Sequence, residues 1–219
     1  MPQDKTRSGL IWSVVALGAV WGLSEAGLGL ALAACAKSVS GSIMTGAAIF
    51  FLSAARVRAR SSWGPALAVA LAVGTKLFDA ALLGRPIGQA VVANPTFALI
   101  VEGIWVATIF SLFGRRLEAR KSTRAWLGAG GGLAASGLFL LAPRVTGMPV
   151  CLFGATSWPL AVVFAPVAAA AGAVAMPLAF SFVAGLEARE LRLRPAWRIV
   201  LPLVASALSL LGIAVLRLV

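Results

Sequence analysis

Residues 10–36 read LIWSVVALGAVWGLSEAGLGLALAACA, a long apolar run with one acid, Glu25, near its middle. About 20 apolar residues suffice to cross a bilayer as a helix, so this run is predicted to span a membrane. An ionised carboxylate at that depth costs roughly 2.5–3.5 kcal/mol on insertion scales, which makes Glu25 a candidate functional residue. The alternative is that Glu25 is a hydrogen-bonded packing residue inside a helical bundle.

Glycines recur on the helix face that carries this acid, at Gly18, Gly22 and Gly29. Spacings of three and four residues stack side chains on one side of a helix. Small residues there allow a second helix to approach the carboxylate closely.

The composition places the whole chain in the membrane class. It is 60% hydrophobic and only 12% charged, with a mean hydropathy of +0.96, and residues 1–219 are interpreted as a single integral membrane helical domain. Histidine is absent and there are two cysteines, which excludes the usual zinc, haem and imidazole-base sites. We therefore expect no metal site and no cofactor. The net charge of +12 is attributed to membrane topology and not to a nucleic-acid partner.

Seven apolar runs predict an all-α membrane protein, a polytopic bundle of about seven (six to seven) transmembrane helices surrounded by the lipid bilayer. The runs cover residues 10–36, 41–55, 63–83, 88–113, 125–142, 157–185 and 197–216. The sixth run contains three prolines and an alanine-rich middle, VAAAAGAVA at 167–175, which suits close helix packing. GAGGG at 128–132 lacks the lysine of a phosphate-binding loop and is interpreted as a thin helix surface.

Basic residues alternate along the chain in a way that predicts the orientation. Fourteen of them lie before the first run or after the second, fourth and sixth runs, and only four lie in the alternate loops and at the C-terminus. Cytoplasmic loops carry the excess of lysine and arginine, so the N-terminus is predicted to be cytoplasmic and the C-terminus to lie outside.

Charged residues within the apolar runs define the candidate site. Lys76 and Asp79 are three residues apart on the third helix and can pair, and Glu102 lies near the middle of the fourth. Asn94 precedes Pro95, and this pair is expected to break the chain near the outer end of the fourth helix, because the residue before proline disfavours the helical region.

With the N-terminus inside, Glu25, Lys76, Asp79 and Glu102 fall at similar depth in the outer half of the bundle. Burying them together around one polar pocket that opens outward is the least costly arrangement. Lys76 would pair with Asp79 and leave Glu25 and Glu102 to meet a ligand. A purely structural salt-bridge network is the alternative.

Four segments resemble the substrate-binding membrane subunits, or S components, of energy-coupling-factor transporters. They are AVWGLSEAGLG at 19–29, SGSIMTGAAIFFL at 40–52, TKLFD at 75–79 and NPTFALIVEGIW at 94–105, and the resemblance covers residues 16–113. It implies a helical bundle in a bacterial plasma (inner) membrane that captures a small solute from outside. It also implies partners: a transmembrane coupling subunit and its ATPases.

Two sets of residues follow from this resemblance. By this resemblance the solute site would be lined by Glu25, Asp79, Asn94 and Glu102, and the grouping of buried charges adds Lys76. Docking to the coupling subunit would use Gly18, Gly22 and Ala26. The sequence departs from the family in its helix count, because six helices are usual there, and it carries no histidine-led metal motif.

Two functions from different classes remain open. The first is a solute-binding subunit for uptake of a cationic or zwitterionic molecule, and the second is a non-catalytic structural or assembly subunit of a larger membrane complex. A solute cavity of roughly 300 Å³ or more would favour the first, and a solid bundle with every charge paired would favour the second. An enzyme is not expected, since histidine and tyrosine are absent.

The two cysteines, Cys35 and Cys151, are predicted to face the outer side, where a disulfide could form if their Cα atoms lie about 4.4–6.8 Å apart. Leu32-Ala33-Ala34-Cys35 also resembles a bacterial lipobox. The apolar region before it is longer than a signal peptide's usual ~7–15 residues and contains Glu25, which argues against cleavage there.

Overall fold

A computed structural model describes residues 3–31, 37–141, 144–145, 160–190 and 197–218. Within these ranges the chain is all-α and forms seven α-helices, which confirms the predicted fold class. They are α1 (Gln3–Ala31), α2 (Lys37–Ala59), α3 (Trp63–Leu82), α4 (Ala90–Ala119), α5 (Lys121–Phe139), α6 (Ala165–Glu190) and α7 (Trp197–Leu218). A π-helical turn, Leu160–Phe164, leads directly into α6. Cys35 and Cys151, and with them the disulfide and lipobox alternatives, lie outside the described residues.

Five helical segments in the described part of the chain are long and apolar enough to cross a membrane. They are Gly9–Gly27, Gly41–Ala59, Trp63–Leu82, Ala90–Ala119 and Val162–Arg189. The described apolar part of α7, Ile199–Val215, is shorter, and α5 carries the glycine-rich stretch. The chain is therefore a polytopic membrane protein, and its orientation across the bilayer stays a prediction.

Three helices continue four or more residues beyond the ends that the apolar runs predict. α2 ends at Ala59, α4 at Ala119 and α6 at Glu190, against predicted ends at 55, 113 and 185. The added turns carry arginines, and a positive charge near a helix C-terminus interacts favourably with the helix dipole. The hydrophobic pattern marks the membrane-embedded part of a helix, whereas backbone hydrogen bonding continues beyond it.

The expected break at Asn94–Pro95 is wrong. α4 begins at Ala90 and continues through Pro95 to Ala119. A proline close to a helix start removes one backbone hydrogen bond, and bundle neighbours and nearby hydroxyls can compensate for that loss in a spanning helix. The next residue, Thr96, stays in the helix, and its hydroxyl donates to the carbonyl of Val92 at 2.8 Å.

α2 lies at the centre of the bundle and contacts α1, α3, α4, α5 and α6. α1 packs mainly on α3 and α7, and α6 packs mainly on α2 and α5. Large side chains such as Trp21, Leu52 and Met176 are fully buried between these helices, while Trp126 (78% exposed) and Leu112 (68% exposed) lie on the outside. Large exposed apolar side chains on the outer helices are suited to contact with lipid.

Glycines form the closest contact between α5 and α6. Gly128 lies against the backbone of Gly172, and Gly132 lies against the backbone of Ala168, with no room for a side chain at either position. The interpretation of 128–132 as a thin helix surface is confirmed, as is the close-packing role of the alanine-rich middle of the sixth run.

The bundle has two ends that differ in charge. At the first, called the carboxylate end, the second halves of α1 and α3 meet at Gly22 and Thr75, and the first halves of α2 and α4 meet at Thr45 and Glu102. At the second, called the arginine end, α2 and α6 finish together, and Arg58 of α2 pairs with Glu187 of α6 at 3.6 Å.

Candidate functional site

Glu25 lies on the buried side of α1, where it is 7% exposed. The indole N–H of Trp21, one helical turn earlier, donates to its Oε1 atom at 3.2 Å. Trp21 is itself fully buried, so the carboxylate is held by a rigid donor within the bundle. Glu25 therefore does not face lipid, as the hypothesis of a polar site requires.

α3 supplies an ion pair at the same end of the bundle. Lys76 Nζ and Asp79 Oδ2 are 3.9 Å apart, with side chains 17% and 5% exposed. Residues at i and i+3 lie on neighbouring positions of one helix face, and the predicted pairing of Lys76 with Asp79 is confirmed.

Glu102 brings α4 into the cluster. It is 6% exposed, and the hydroxyl of Thr45 on α2 donates a hydrogen bond to its carboxylate. The charges of Glu102 and Glu25 are close enough to repel each other, and Lys76 is close enough to attract Glu25. The four predicted charged residues are therefore linked across α1, α3 and α4, and we call Glu25, Lys76, Asp79 and Glu102 the carboxylate cluster.

Asn94, the fifth predicted site residue, lies two turns before Glu102 on α4. Its side chain is buried and has an interaction partner in the structure. It lies inside a continuous helix and not at a break in the chain, so its position is set by the α4 backbone.

Two side chains that the sequence did not predict hold the cluster, Trp21 and Thr45. The spacing of four between Trp21 and Glu25 is a signal that could have identified the first. Thr45 had no such signal, because its contact with Glu102 depends on how α2 and α4 are rotated toward each other.

The three positions assigned to docking lie inside the bundle. A side chain at Gly18 would meet Leu71 and Ala68 of α3, and one at Gly22 would meet Thr75. Ala26 is 4% exposed. α3 therefore occupies this face of α1, and the small residues bring Glu25 close to the helix that carries Lys76 and Asp79.

The cluster holds three acids and one lysine, so it is an acidic site in an apolar bundle. Among the described residues, no group of three histidine, cysteine, aspartate or glutamate side chains is close enough to hold a metal ion. What the cluster can do chemically is accept hydrogen bonds and positive charge.

No protein-family model, curated protein or solved structure matches the chain. The fold and the cluster define its class: a polytopic, all-α membrane protein that buries acidic side chains between its helices.

Proposed function

We propose that the chain is a membrane-embedded substrate-binding subunit for the uptake of a small cationic or zwitterionic solute. The observation that carries the proposal is the proximity of two buried carboxylates, Glu25 and Glu102, on separate helices of one bundle. Lys76 is already paired with Asp79, and neither glutamate forms a salt bridge among the described residues.

Electrostatics favours a positively charged ligand at this position. Two like charges in a medium of low dielectric repel strongly, and each also costs desolvation. A cationic group between Glu25 and Glu102 would offset both terms. A carboxylate offers about four acceptor positions, and the N–H of Trp21 and the hydroxyl of Thr45 occupy one on each acid.

The resemblance to S components supplies the rest of the proposal. In it the carboxylate end faces the outside of a bacterial plasma membrane, and the solute enters from there. The chain performs no chemical reaction, and since it carries no ATP-binding loop, uptake requires a separate coupling subunit and ATPases.

In this proposal the coupling subunit contacts a different face of α1 from the one that the resemblance implies. Because α3 covers Gly18 and Gly22, a partner has to approach another face of α1. The role left to these glycines is to let α1 and α3 approach closely enough for Glu25 and Lys76 to interact.

The test is solute binding by purified protein in nanodiscs of neutral lipid. Amino acids, diamines and quaternary ammonium compounds are screened by thermal shift, and the ligands that raise the melting temperature are titrated calorimetrically. Glu25→Gln and Glu102→Gln should each weaken binding about tenfold or more, because a hydrogen bond to a charged group contributes roughly 1.5–3 kcal/mol. Glu118→Gln is the matched control, since Glu118 lies on the same helix as Glu102 but is exposed at the arginine end.

A structural or assembly subunit is the second candidate. It is favoured by the observation that Glu25, Glu102 and Asp79 each have a protein partner. In that case no solute in the panel shifts the melting temperature. The only effect of Glu25→Gln and Glu102→Gln is then a lower melting temperature of the protein itself.

A further inference from the structure

A groove of about 490 Å³ lies at the arginine end, on the opposite side of the bundle from the carboxylate cluster. Its walls come from the last turns of α2 and α4, and they include Arg56, Phe110, Gly114, Arg115 and Arg116. We call this the arginine groove.

The groove is positively charged, with three arginines against one acid, Glu118, in its lining. Within the part of the chain that the structure describes, Arg115 and Arg116 are exposed and form no salt bridge. Other arginines at this end differ. Arg124, for example, donates to the carbonyl oxygens of Leu117 and Glu118 at 2.6 and 2.9 Å. The charges of the groove are thus available to a ligand.

Arg56 is positioned by an aromatic ring. Its guanidinium lies 5.5 Å from the centroid of Phe110, and Phe110 is buried and stacked on Phe180 with centroids 6.0 Å apart. The ring attracts the guanidinium, and the planar arginine fork loses little freedom for each hydrogen bond that it forms. The planar guanidinium then presents two N–H groups in the geometry that matches phosphate oxygens.

The groove opens beside a surface suited to acyl chains. Leu112, in its lining, is 68% exposed, and Ile104, two turns earlier on α4, is 63% exposed. A molecule that combines a phosphate with long apolar chains fits both features, and basic pockets between spanning helices on the cytoplasmic side are known to bind lipid headgroups. We infer that the arginine groove binds the phosphate headgroup of an anionic phospholipid, through Arg56, Arg115 and Arg116.

This site is independent of solute binding, so it is tested in the same full-length protein without any solute. Protein in nanodiscs of phosphatidylcholine with a small fraction of phosphatidylglycerol is released into the gas phase, and retained lipid is counted by native mass spectrometry. The groove variant is Arg115→Gln with Arg116→Gln. Its matched control is Arg120→Gln with Lys121→Gln, which removes two exposed charges from the same end but outside the groove lining.

Each basic residue near an anionic headgroup changes affinity about fivefold. The affinity of the groove variant for phosphatidylglycerol should therefore be about 25-fold lower, while the affinity of the control variant is unchanged. Equal losses in the two variants would overturn the proposal, because they would indicate a diffuse positive surface. Equal retention of phosphatidylcholine and phosphatidylglycerol by the wild type, after correction for their fractions in the nanodisc, would also overturn it, since the groove would then not select an anionic lipid.

A second variant fills the groove without changing charge. A Cβ atom added at Gly114 would meet no atom within 4 Å, so Gly114→Leu starts from open space in the groove lining. It should lower phosphatidylglycerol retention several-fold with an unchanged melting temperature in neutral lipid. Full retention in Gly114→Leu would place the lipid elsewhere and contradict the inference.

Discussion

Arg58 and Glu25 are equally buried, at 7% exposure each, yet the bundle accommodates them differently. Arg58 lies at a helix end, donates to Ser13 at 3.4 Å and pairs with Glu187, whose side chain is 38% exposed. Glu25 lies inside a spanning segment, with Trp21 as its hydrogen-bond donor and another acid, Glu102, nearby.

The difference shows how the position of a buried charge, at a helix end or inside a spanning segment, decides its contribution to stability. At the arginine end the partner of a buried cation extends into water, so the pair is partly solvated and its energy is moderate. At the carboxylate end the charges must be compensated within the bundle, where removing one partner leaves the other buried. Excess charge is therefore tolerated at the arginine end, whereas at the carboxylate end it lowers stability.

The largest effect is expected when the cation of the carboxylate cluster is removed. Lys76→Ala removes the cation that pairs with Asp79, a carboxylate that is only 3% exposed. We expect a loss of about 3–5 kcal/mol in the free energy of unfolding, measured by denaturant titration in bicelles.

The corresponding change at the other end is its control. Arg58→Ala leaves Glu187 partly exposed, so its loss should be clearly smaller than that of Lys76→Ala. The double variant Lys76→Ala with Asp79→Ala should recover most of the lost free energy of unfolding, because both members of the ion pair are then removed. A double variant as unstable as Lys76→Ala alone would show that the ion pair is not what stabilises this end.

A smaller loss is expected when the contact between α1 and α3 is widened. A methyl group at Gly22 would overlap with the side chain of Thr75, and such overpacking costs about 1–3 kcal/mol. Gly22→Ala should therefore lower the melting temperature in nanodiscs and weaken solute binding at Glu25.

Gly74→Ala, on α3, is the control for this change. A side chain at Gly74 would meet nothing within 4 Å, and replacing a mid-helix glycine by alanine stabilises a helix by roughly 0.5–1 kcal/mol. If Gly22→Ala is as well tolerated as Gly74→Ala, the two helices do not need the close approach that positions the cluster.

Much of this architecture was predictable because it follows from local rules. Apolar run length gives the helices, the spacing of Lys76 and Asp79 gives their pairing, and the glycines at 128–132 indicate a thin helix surface. These features depend on residues close in sequence, whose relative positions on a helix are set by its 3.6-residue period.

The features that the sequence did not predict depend on the arrangement of helices. Thr45 meets Glu102 only because α2 and α4 are neighbours and are rotated so that these two side chains face each other. In the same way, the helix that packs on Gly22 is α3 because of how the bundle is assembled. The predicted helix break at Pro95 was wrong for a different reason. The preference of Asn94 for an extended backbone is weaker than the hydrogen bonding and packing that hold α4 in the bundle.

The smallest effect is expected from Glu187, and it tests whether the arginine end is solvated. Arg58 and Arg60 both contact Glu187 Oε1, at 3.6 and 3.7 Å, but Arg60 is 81% exposed and Glu187 is 38% exposed. Exposed pairs such as Arg60–Glu187 contribute about 0–1 kcal/mol. The buried Arg58 keeps its bond to Ser13 and can still donate to the glutamine oxygen, so Glu187→Gln should lower the free energy of unfolding by less than about 1 kcal/mol at low salt. The loss should vanish near 1 M salt, where the Debye length is about 3 Å, whereas the loss in Lys76→Ala should persist because its charges are buried. A cost for Glu187→Gln that equals that of Lys76→Ala and is insensitive to salt would mean that both ends hold their charges away from water, and the comparison between them would fail.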